Sequence, residues 1–160
     1  MMKNNKTNKR ARLENINYLG RQRYFITVCT AQRRFLLSDK AVVENMISFL
    51  KECSLAHDFI VWAYCFMPDH LHLLVEGFSE GSRLDKFVSL FKQKSGFWYK
   101  QKFGARLWQP SYYDHVLRQN EGFSEIVLYI FSNPSRAGLV ESCKDYPFSG
   151  SFEFDLNDWI

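Results

Sequence analysis

The stretch Tyr64-Cys65-Phe66-Met67-Pro68-Asp69-His70-Leu71-His72-Leu73-Leu74-Val75-Glu76 decides the fold, because it indicates two apolar strands separated by a tight turn. Pro68 and Asp69 suit the two central positions of a type I turn, since proline presets φ and aspartate can bond to nearby backbone. We therefore expect residues 58–66 to fold back against residues 70–75 as a β-hairpin.

The second strand of this hairpin carries two histidines on one face. Side chains two residues apart on a strand point the same way, so His70 and His72 stand side by side while Leu71 points to the opposite face. Two imidazoles fixed by a rigid strand make half of a metal site. On spacing alone, satisfied core or edge histidines are the more common explanation. Leu74 is the next residue after His72 on that face, and it predicts that a hydrophobic core begins there.

The composition is that of one ordered globular domain. The chain has 160 residues, of which 46% are hydrophobic and 17% aromatic, which is enough to bury a core. Fifteen Phe, eight Tyr and four Trp are more than a core of this size needs. Exposed rings suit base stacking, although most aromatic residues serve packing.

The net charge of +4 is concentrated in two stretches. Residues 1–23 carry seven Lys or Arg against Glu14, and residues 83–106 carry seven against Asp85, whereas the remainder of the chain is acidic. Two basic stretches on an otherwise acidic chain are typical of a phosphate-binding surface. A solvated helix face together with a disordered, solubilising tail would give the same counts.

Cysteine spacing and hydropathy indicate the compartment. The four cysteines form no C-x-x-C pair, so we expect reduced thiols in a cytoplasmic protein. No segment reaches the ~18 apolar residues of a membrane span, and the basic N-terminus lacks the apolar region of a signal peptide; we expect no membrane partner. The predicted organisation is a flexible basic arm over residues 1–20, one domain over 21–150 and a C-terminal tail over 151–160.

Periodicity and end signals supply the other elements. The predicted strands are 23–30, 59–67, 70–77 and 112–118, and the predicted helices run from the N-cap Ser38 to Leu55, over 83–102, and from 120–121 to Pro134. The order β-α-β-β-α-β followed by a helix predicts an α+β fold. We expect a ferredoxin-like antiparallel sheet with two helices on one face, and an added C-terminal helix that carries Tyr129.

The last helix offers a partner for the histidines. Tyr129 and Asn133 are one turn apart and share a helix face. An Asn carbonyl oxygen could complete a two-histidine site for Mg²⁺ or Mn²⁺, and a metal that polarises a phosphodiester would let a phenol with a free pKa near ~10 attack it. From the residues alone, Tyr112 and Tyr113 remain alternative nucleophiles.

Three blocks of sequence, at 64–72, 107–118 and 129–140, resemble the HUH single-tyrosine transposases, and in particular their REP-associated tyrosine transposase branch. The resemblance extends from about residue 24 to residue 148. It implies a DNA transposase that nicks and rejoins single-stranded DNA at hairpin-flanked sites through a covalent 5′-phosphotyrosine intermediate. Some members of the family are monomers, and others are dimers that exchange the tyrosine helix.

The resemblance also implies roles for individual residues. His70 and His72 match the metal-binding histidines, Tyr129 matches the nucleophile, and Asn133 occupies the place of a third, polar ligand for Mg²⁺ or Mn²⁺. The implied partner is single-stranded DNA with hairpins.

Five basic residues are predicted to contact that DNA. Lys86, Lys92 and Lys94 lie on the polar face of the predicted helix over 83–102. Arg118 and Arg136 suit bidentate phosphate contacts, or simple pairing with acids.

Two other functions fit parts of the sequence. One is a non-catalytic single-stranded nucleic-acid-binding module of ferredoxin-like fold, because sheets with aromatic faces bind single strands. The other is a metallohydrolase that uses activated water and forms no protein–DNA adduct. The combination of two histidines, Tyr129 and Asn133 favours the transposase.

Overall fold

The computed structural model describes residues 17–119 and 121–159. The strands are β1 (Arg23–Cys29), β2 (Phe59–Met67), β3 (His70–Gly77), β4 (Tyr113–Val116) and β5 (Ser149–Gly150), and the helices are α1 (Lys40–Ala56), α2 (Leu84–Phe103) and α3 (Phe123–Arg136). Three short 3₁₀ segments lie at Ala31–Arg33, Cys143–Asp145 and Leu156–Asp158.

The five strands form one sheet in the order β4-β1-β3-β2-β5, and all neighbours are antiparallel. The predicted α+β architecture with an antiparallel sheet is confirmed. The predicted hairpin is also confirmed, because β2 and β3 pair from Phe59 opposite Gly77 to Met67 opposite His70. The histidine strand β3 is therefore the central strand of the sheet, and it is hydrogen-bonded to β1 on one side and to β2 on the other.

The sheet has a hydrophobic core on each face. Tyr24, Ile26 and Val28 alternate along β1 and pack with α1 and α2 in the larger core. On the other face, α3 covers β2 and β3, and Leu74 joins its core as predicted. The even-numbered residues His70 and His72 share the face of Leu74, so the histidines lie on the α3 side of the sheet.

Several helix ends differ from the predictions. The N-cap of α1 is Asp39 and not Ser38, because the Asp39 Oδ1 accepts from the Val42 N–H at 3.0 Å. The helix α3 begins at Phe123, later than predicted, and it does not end at Pro134 but continues to Arg136. Pro134 is buried in the core under α3, and this burial offsets the missing backbone donor.

The C-terminal region is more ordered than predicted. The strand β5 pairs with β2, and it was missed because two residues show no periodicity. The Tyr146 hydroxyl donates to the Phe66 carbonyl at 2.6 Å. Beyond β5, Phe154 and Trp159 contact α3 through Phe131 and Phe123 respectively, so these two rings pack on the helix that carries Tyr129, whereas Phe152 packs against Tyr64.

The predicted basic arm falls mostly outside the described residues, which begin at 17. Residues 17–20 pack against the domain: the Leu84 N–H donates to the Tyr18 carbonyl at 3.1 Å, and the Gly20 N–H to the Ser82 carbonyl at 2.9 Å. All four cysteines are free thiols. Across residues 17–119 and 121–159, no helix combines the length and apolar character needed to cross a membrane.

Candidate active site

The two histidines of β3 form a close pair. The Nε2 atoms of His70 and His72 are 3.1 Å apart, and their ring centroids are 4.6 Å apart. His72 is buried, with 7% of its surface exposed, and His70 is half-buried at the end of the strand. The predicted side-by-side arrangement is therefore present.

Protein groups occupy the other ring nitrogen of each histidine. Asp69 Oδ1 lies 2.6 Å from His70 Nδ1, and the Thr27 hydroxyl lies 2.9 Å from His72 Nδ1 across the β1–β3 pairing. Asp69 also pairs with Arg33 at 2.9 Å. With the Nδ1–H atoms donated to these oxygens, each ring presents the Nε2 lone pair, which is the tautomer that a metal ligand needs.

The environment keeps His72 neutral. Burial lowers the pKa of His72 to about 3, and the positive charges that His70 and Arg33 can carry act in the same direction. A buried imidazole without a proton is a good ligand, because metal binding requires the deprotonated form.

The spacing of the pair fits a small divalent cation. Two nitrogens ~2.1 Å from a common ion and at right angles to each other lie ~3.0 Å apart, which is the octahedral arrangement that Mg²⁺ prefers. Among the residues that the structure describes, no group of three His, Cys, Asp or Glu side chains is arranged to hold a metal. The role of Asn133 as a third ligand stays a prediction.

Tyr129 lies against the histidine pair within the same chain. Its ring centroid is 5.9 Å from that of His72, and 6.0 Å from that of Phe25, which itself stacks on His72 at 5.4 Å. The helix reaches this place because its buried side packs on the sheet through Val127, Ile130 and Phe131. Tyr129 is 41% exposed, so its ring lies against His72 on one side and is accessible to solvent on the other.

Two further α3 residues surround Tyr129. The Asn133 amide Nδ2 donates to the Tyr129 carbonyl at 2.7 Å, which leaves the Asn133 Oδ1 as the end able to meet a cation. The Arg136 guanidinium carbon lies 5.0 Å from the Tyr129 ring centroid, within the range of a cation–π contact. Over two turns, α3 thus presents a phenol, a carboxamide and a guanidinium on one side of the helix.

The competing tyrosines lie elsewhere on the sheet. Tyr112 packs against the core of the α1–α2 face, away from the histidines. Tyr113 pairs with Thr27 and is 45% exposed on the histidine face. Thr27 therefore lies between Tyr113 and His72 in the sheet. His115 pairs with Glu121 at 2.9 Å, which is a structural contact.

The predicted DNA-binding lysines occupy different environments. Lys92 donates to the carbonyls of Gln109, Pro110 and Ser111 at 2.8, 3.0 and 3.3 Å, and Lys94 pairs with Glu52 of α1. Lys86 is exposed. All three lie on α2, across the sheet from Tyr129, and their role in DNA binding stays a prediction.

The predicted arginines lie on the histidine side of the molecule or at its edge. Arg136 contacts Tyr129, as described above. Arg118 is exposed beyond the end of β4 and lines a pocket of about 320 Å³ together with Arg21 and Arg23.

Sequence reasoning missed the residues that orient the histidines. Thr27 lies 45 residues before His72, and only the strand register reveals the contact. Asp69 was interpreted as a turn former, although its position next to His70 was a usable signal. Phe25 and Arg33 had no distinguishing pattern.

Comparison with known proteins gives the class. The model of the family "Transposase IS200 like" matches residues 19–133, and the chain belongs to this family. The resemblance found in the sequence is thereby confirmed.

Individual relatives are REP-associated tyrosine transposases. The chain is 27% identical over 138 residues to the REP-associated tyrosine transposase of Escherichia coli K12, covering 82% of this chain and 78% of that protein. It is also 27% identical over 150 residues to a candidate protein of the same description from Haemophilus influenzae, covering 83% and 81%.

A solved structure extends the comparison to the fold. A REP-associated tyrosine transposase bound to a REP hairpin superposes with a TM-score of 0.70 at 22% identity, covering 84% of this chain and 79% of that one. At this identity the likeness shows the fold alone.

Proposed function

We propose that this chain is a metal-dependent tyrosine transposase that cuts and rejoins single-stranded DNA through Tyr129. The observation that carries the proposal is the 5.9 Å approach of the Tyr129 ring to His72 within one chain. Beside it lies an imidazole pair whose Nδ1 atoms contact Asp69 and Thr27 and whose Nε2 atoms face each other at 3.1 Å. A pure binding module has no use for this arrangement.

The ligands that we assign are His70 Nε2, His72 Nε2 and Asn133 Oδ1. Mg²⁺ or Mn²⁺ at this place would polarise the scissile phosphate as a Lewis acid. Asp69 and Thr27 hold the imidazoles in the required tautomer, and Arg136 supplies a positive charge beside Tyr129.

The reaction balances with Tyr129 as the nucleophile. The phenolic oxygen loses its proton and attacks phosphorus, so that an Oη–P bond forms while the bond from phosphorus to the 3′ oxygen breaks and that oxygen takes up a proton. The product is a 5′-phosphotyrosine link and a free 3′-hydroxyl. Attack by a 3′-hydroxyl on the link reverses the step and rejoins a strand, so no external energy is needed.

We further propose that the substrate is single-stranded DNA carrying a hairpin. The relative described as bound to a REP hairpin supports this. Part of the histidine face beyond α3 is open, with exposed Tyr113 and half-exposed His115 on the edge strand β4, and exposed rings on a sheet suit unpaired bases. Lys86, Lys92, Lys94, Arg118 and Arg136 remain the proposed phosphate contacts.

The strand order β4-β1-β3-β2 also supports the ferredoxin-like assignment of the fold.

Incubation with labelled hairpin DNA tests the proposal. With Mg²⁺ or Mn²⁺, we expect a protein–DNA adduct that survives a denaturing gel and retains only the label on the 3′ side of the cut. EDTA should abolish the adduct while DNA binding persists. Cleavage that leaves a free 5′-phosphate and no adduct would instead support the metallohydrolase, and binding without cleavage would support the non-catalytic module.

The Thr27 hydroxyl provides a separate prediction about metal affinity. Thr27→Val keeps the β-branched shape of the strand residue but removes the acceptor for His72 Nδ1–H, so we expect Mn²⁺ to bind about 10–100-fold more weakly. Thr27→Ser restores the hydroxyl and should restore affinity, as measured by Mn²⁺ titration followed by electron paramagnetic resonance. Equal affinity of the Val and Ser variants would contradict the orienting role.

A further inference from the structure

A groove lies on the α2 side of the sheet, away from Tyr129. It has a volume of about 530 Å³ and runs between the outer side of α2 and the connector over residues 104–110. Its walls include Gln93, Phe97, Lys100, Arg106, Trp108 and Pro110. Nothing in the catalytic account uses this groove.

The groove contains an aromatic ring that packing does not explain. Phe97 lies in the middle of α2 and is 65% exposed. Opposite it, Trp108 is buried and its Nε1–H donates to the Ser95 hydroxyl at 2.8 Å. At Gly96, an added Cβ would lie 3.7 Å from Trp108 Cδ1, an ordinary contact distance, so Trp108 lies directly beside α2 at this point. An exposed phenylalanine above a rigid floor is a stacking platform for a flat ring.

Positive charges without acidic partners border the groove. Within the described part of the chain, no carboxylate forms an ion pair with Lys100 or Arg106. Gln93 and Lys100 are spaced by seven residues, which is about two helical turns, so they lie on the same side of α2 along the groove. The cations Lys100 and Arg106 beside an exposed ring attract a polyanion with bases.

The groove approaches the histidine pair at one end of the sheet. The Gln109 N–H donates to the Cys29 carbonyl at 2.9 Å, and Cys29 pairs with His70 in the register of β1 and β3. The connector that walls the groove therefore passes the same strand end as the catalytic histidines. A strand leaving the site over this end of the sheet would meet Pro110 and then the groove.

We propose that this groove binds an unpaired stretch of the same DNA strand that Tyr129 cuts. Phe97 stacks on one base, and Lys100 and Arg106 contact the neighbouring phosphates. An unpaired stretch is favoured over a duplex as the occupant, because bases inside a duplex are stacked on each other on both faces and cannot cover Phe97. The inference rests on the proposed function and extends it by a second binding site on the opposite side of the sheet.

Equilibrium binding tests the groove independently of cleavage. In a Tyr129→Phe background, fluorescence anisotropy would compare a hairpin with an unpaired flank and the same hairpin without one. We expect Phe97→Ala to weaken binding of the flanked hairpin about 5- to 100-fold, and Phe97→Trp to restore it. The flankless hairpin should bind both proteins equally. The matched control is Phe78→Ala, which removes another exposed ring (56% exposed) from a loop outside the groove.

The salt dependence tests the charges. Lys100→Gln and Arg106→Gln should each reduce the slope of log K against log salt by about 0.7, the value for one phosphate of a single strand. Lys51→Gln on α1 is the charge-matched control and should leave the slope unchanged.

Photocrosslinking locates the strand. With 5-iodouracil in the flank, we expect crosslinks to Phe97, and none when the label lies in the hairpin stem. Full affinity of Phe97→Ala together with no crosslink in the groove would overturn this inference while leaving adduct formation by the parent protein intact. A parent protein that forms neither a complex nor an adduct with hairpin DNA would overturn the proposed function as well.

Discussion

Replacing Tyr129 with phenylalanine will abolish the covalent protein–DNA adduct while leaving hairpin binding within about twofold of the parent. The substitution removes one oxygen, which is the atom that we propose forms the bond to phosphorus. The ring stays in place, because its contacts with Phe25, His72 and Arg136 involve the ring and not the hydroxyl. Denaturing gels measure the adduct, and anisotropy measures the complex.

Two matched variants separate Tyr129 from the other tyrosines near the sheet. Tyr112→Phe and Tyr113→Phe each remove a phenolic oxygen in the same way, from the residue just before β4 and from the first residue of β4 respectively. Both variants should still form the adduct. If the Tyr129→Phe variant cuts DNA at the parent rate, the nucleophile is water or another tyrosine, and the assignment of Tyr129 fails.

Replacing His72 with alanine should reduce adduct formation by a factor of about 10³ or more. A Lewis acid contributes several kcal/mol to stabilising charge at a reacting phosphate, and each ~1.4 kcal/mol is a factor of ten in rate. His72 is the buried member of the pair, and its Nδ1 atom contacts the Thr27 hydroxyl. The substitution therefore removes the more buried of the two proposed histidine ligands. Single-turnover cleavage at saturating Mg²⁺ measures the effect.

His57→Ala is the control for the histidine prediction. His57 is the C-cap residue of α1 on the opposite side of the sheet, and its removal should leave the cleavage rate within about twofold. Because an alanine at position 72 could also disturb the core, the thermal unfolding midpoint and hairpin affinity of His72→Ala should be measured together. A stable variant that binds DNA and cuts at the parent rate would exclude the histidine pair from the chemistry.

Tyr129 lies beside the histidine pair of its own chain. Tyr129 and both histidines belong to the same described polypeptide, and α3 packs on the sheet of its own chain through Val127, Ile130 and Phe131. The sequence left open whether a second copy must supply the tyrosine. The arrangement here needs no such exchange, so we expect adduct formation to be independent of protein dilution when DNA is saturating.

The β2–β3 hairpin could be predicted because its signals are local. Pro68 and Asp69 mark the turn, and strict alternation on β3 sets which face the histidines share. The i, i+4 spacing of Tyr129 and Asn133 was equally visible. Local patterns did not show that α3 covers the histidine face, since that depends on how α3 packs across a sheet whose strands come from distant parts of the chain.

Long-range contacts account for what the sequence did not reveal. Thr27 reaches His72 only through the pairing of β1 with β3. The continuation of α3 through Pro134 depends on burial of the proline ring, which overrides a local preference to end the helix. The lysines on α2 looked equivalent in the sequence, yet Lys92 and Lys94 are held by the connector and by Glu52. Tertiary contacts therefore distinguish Lys92 and Lys94, which have protein partners, from the exposed Lys86.

Peptide mapping of the adduct tests the central claim most directly. After reaction with hairpin DNA, nuclease trimming and trypsin digestion, Tyr129 lies alone in the peptide over residues 119–136, whereas Tyr112 and Tyr113 lie in the peptide over residues 107–118. The account predicts that mass spectrometry finds the nucleotide on the first peptide, at Tyr129. A nucleotide on the second peptide, or cleaved DNA with no modified tyrosine, would contradict it.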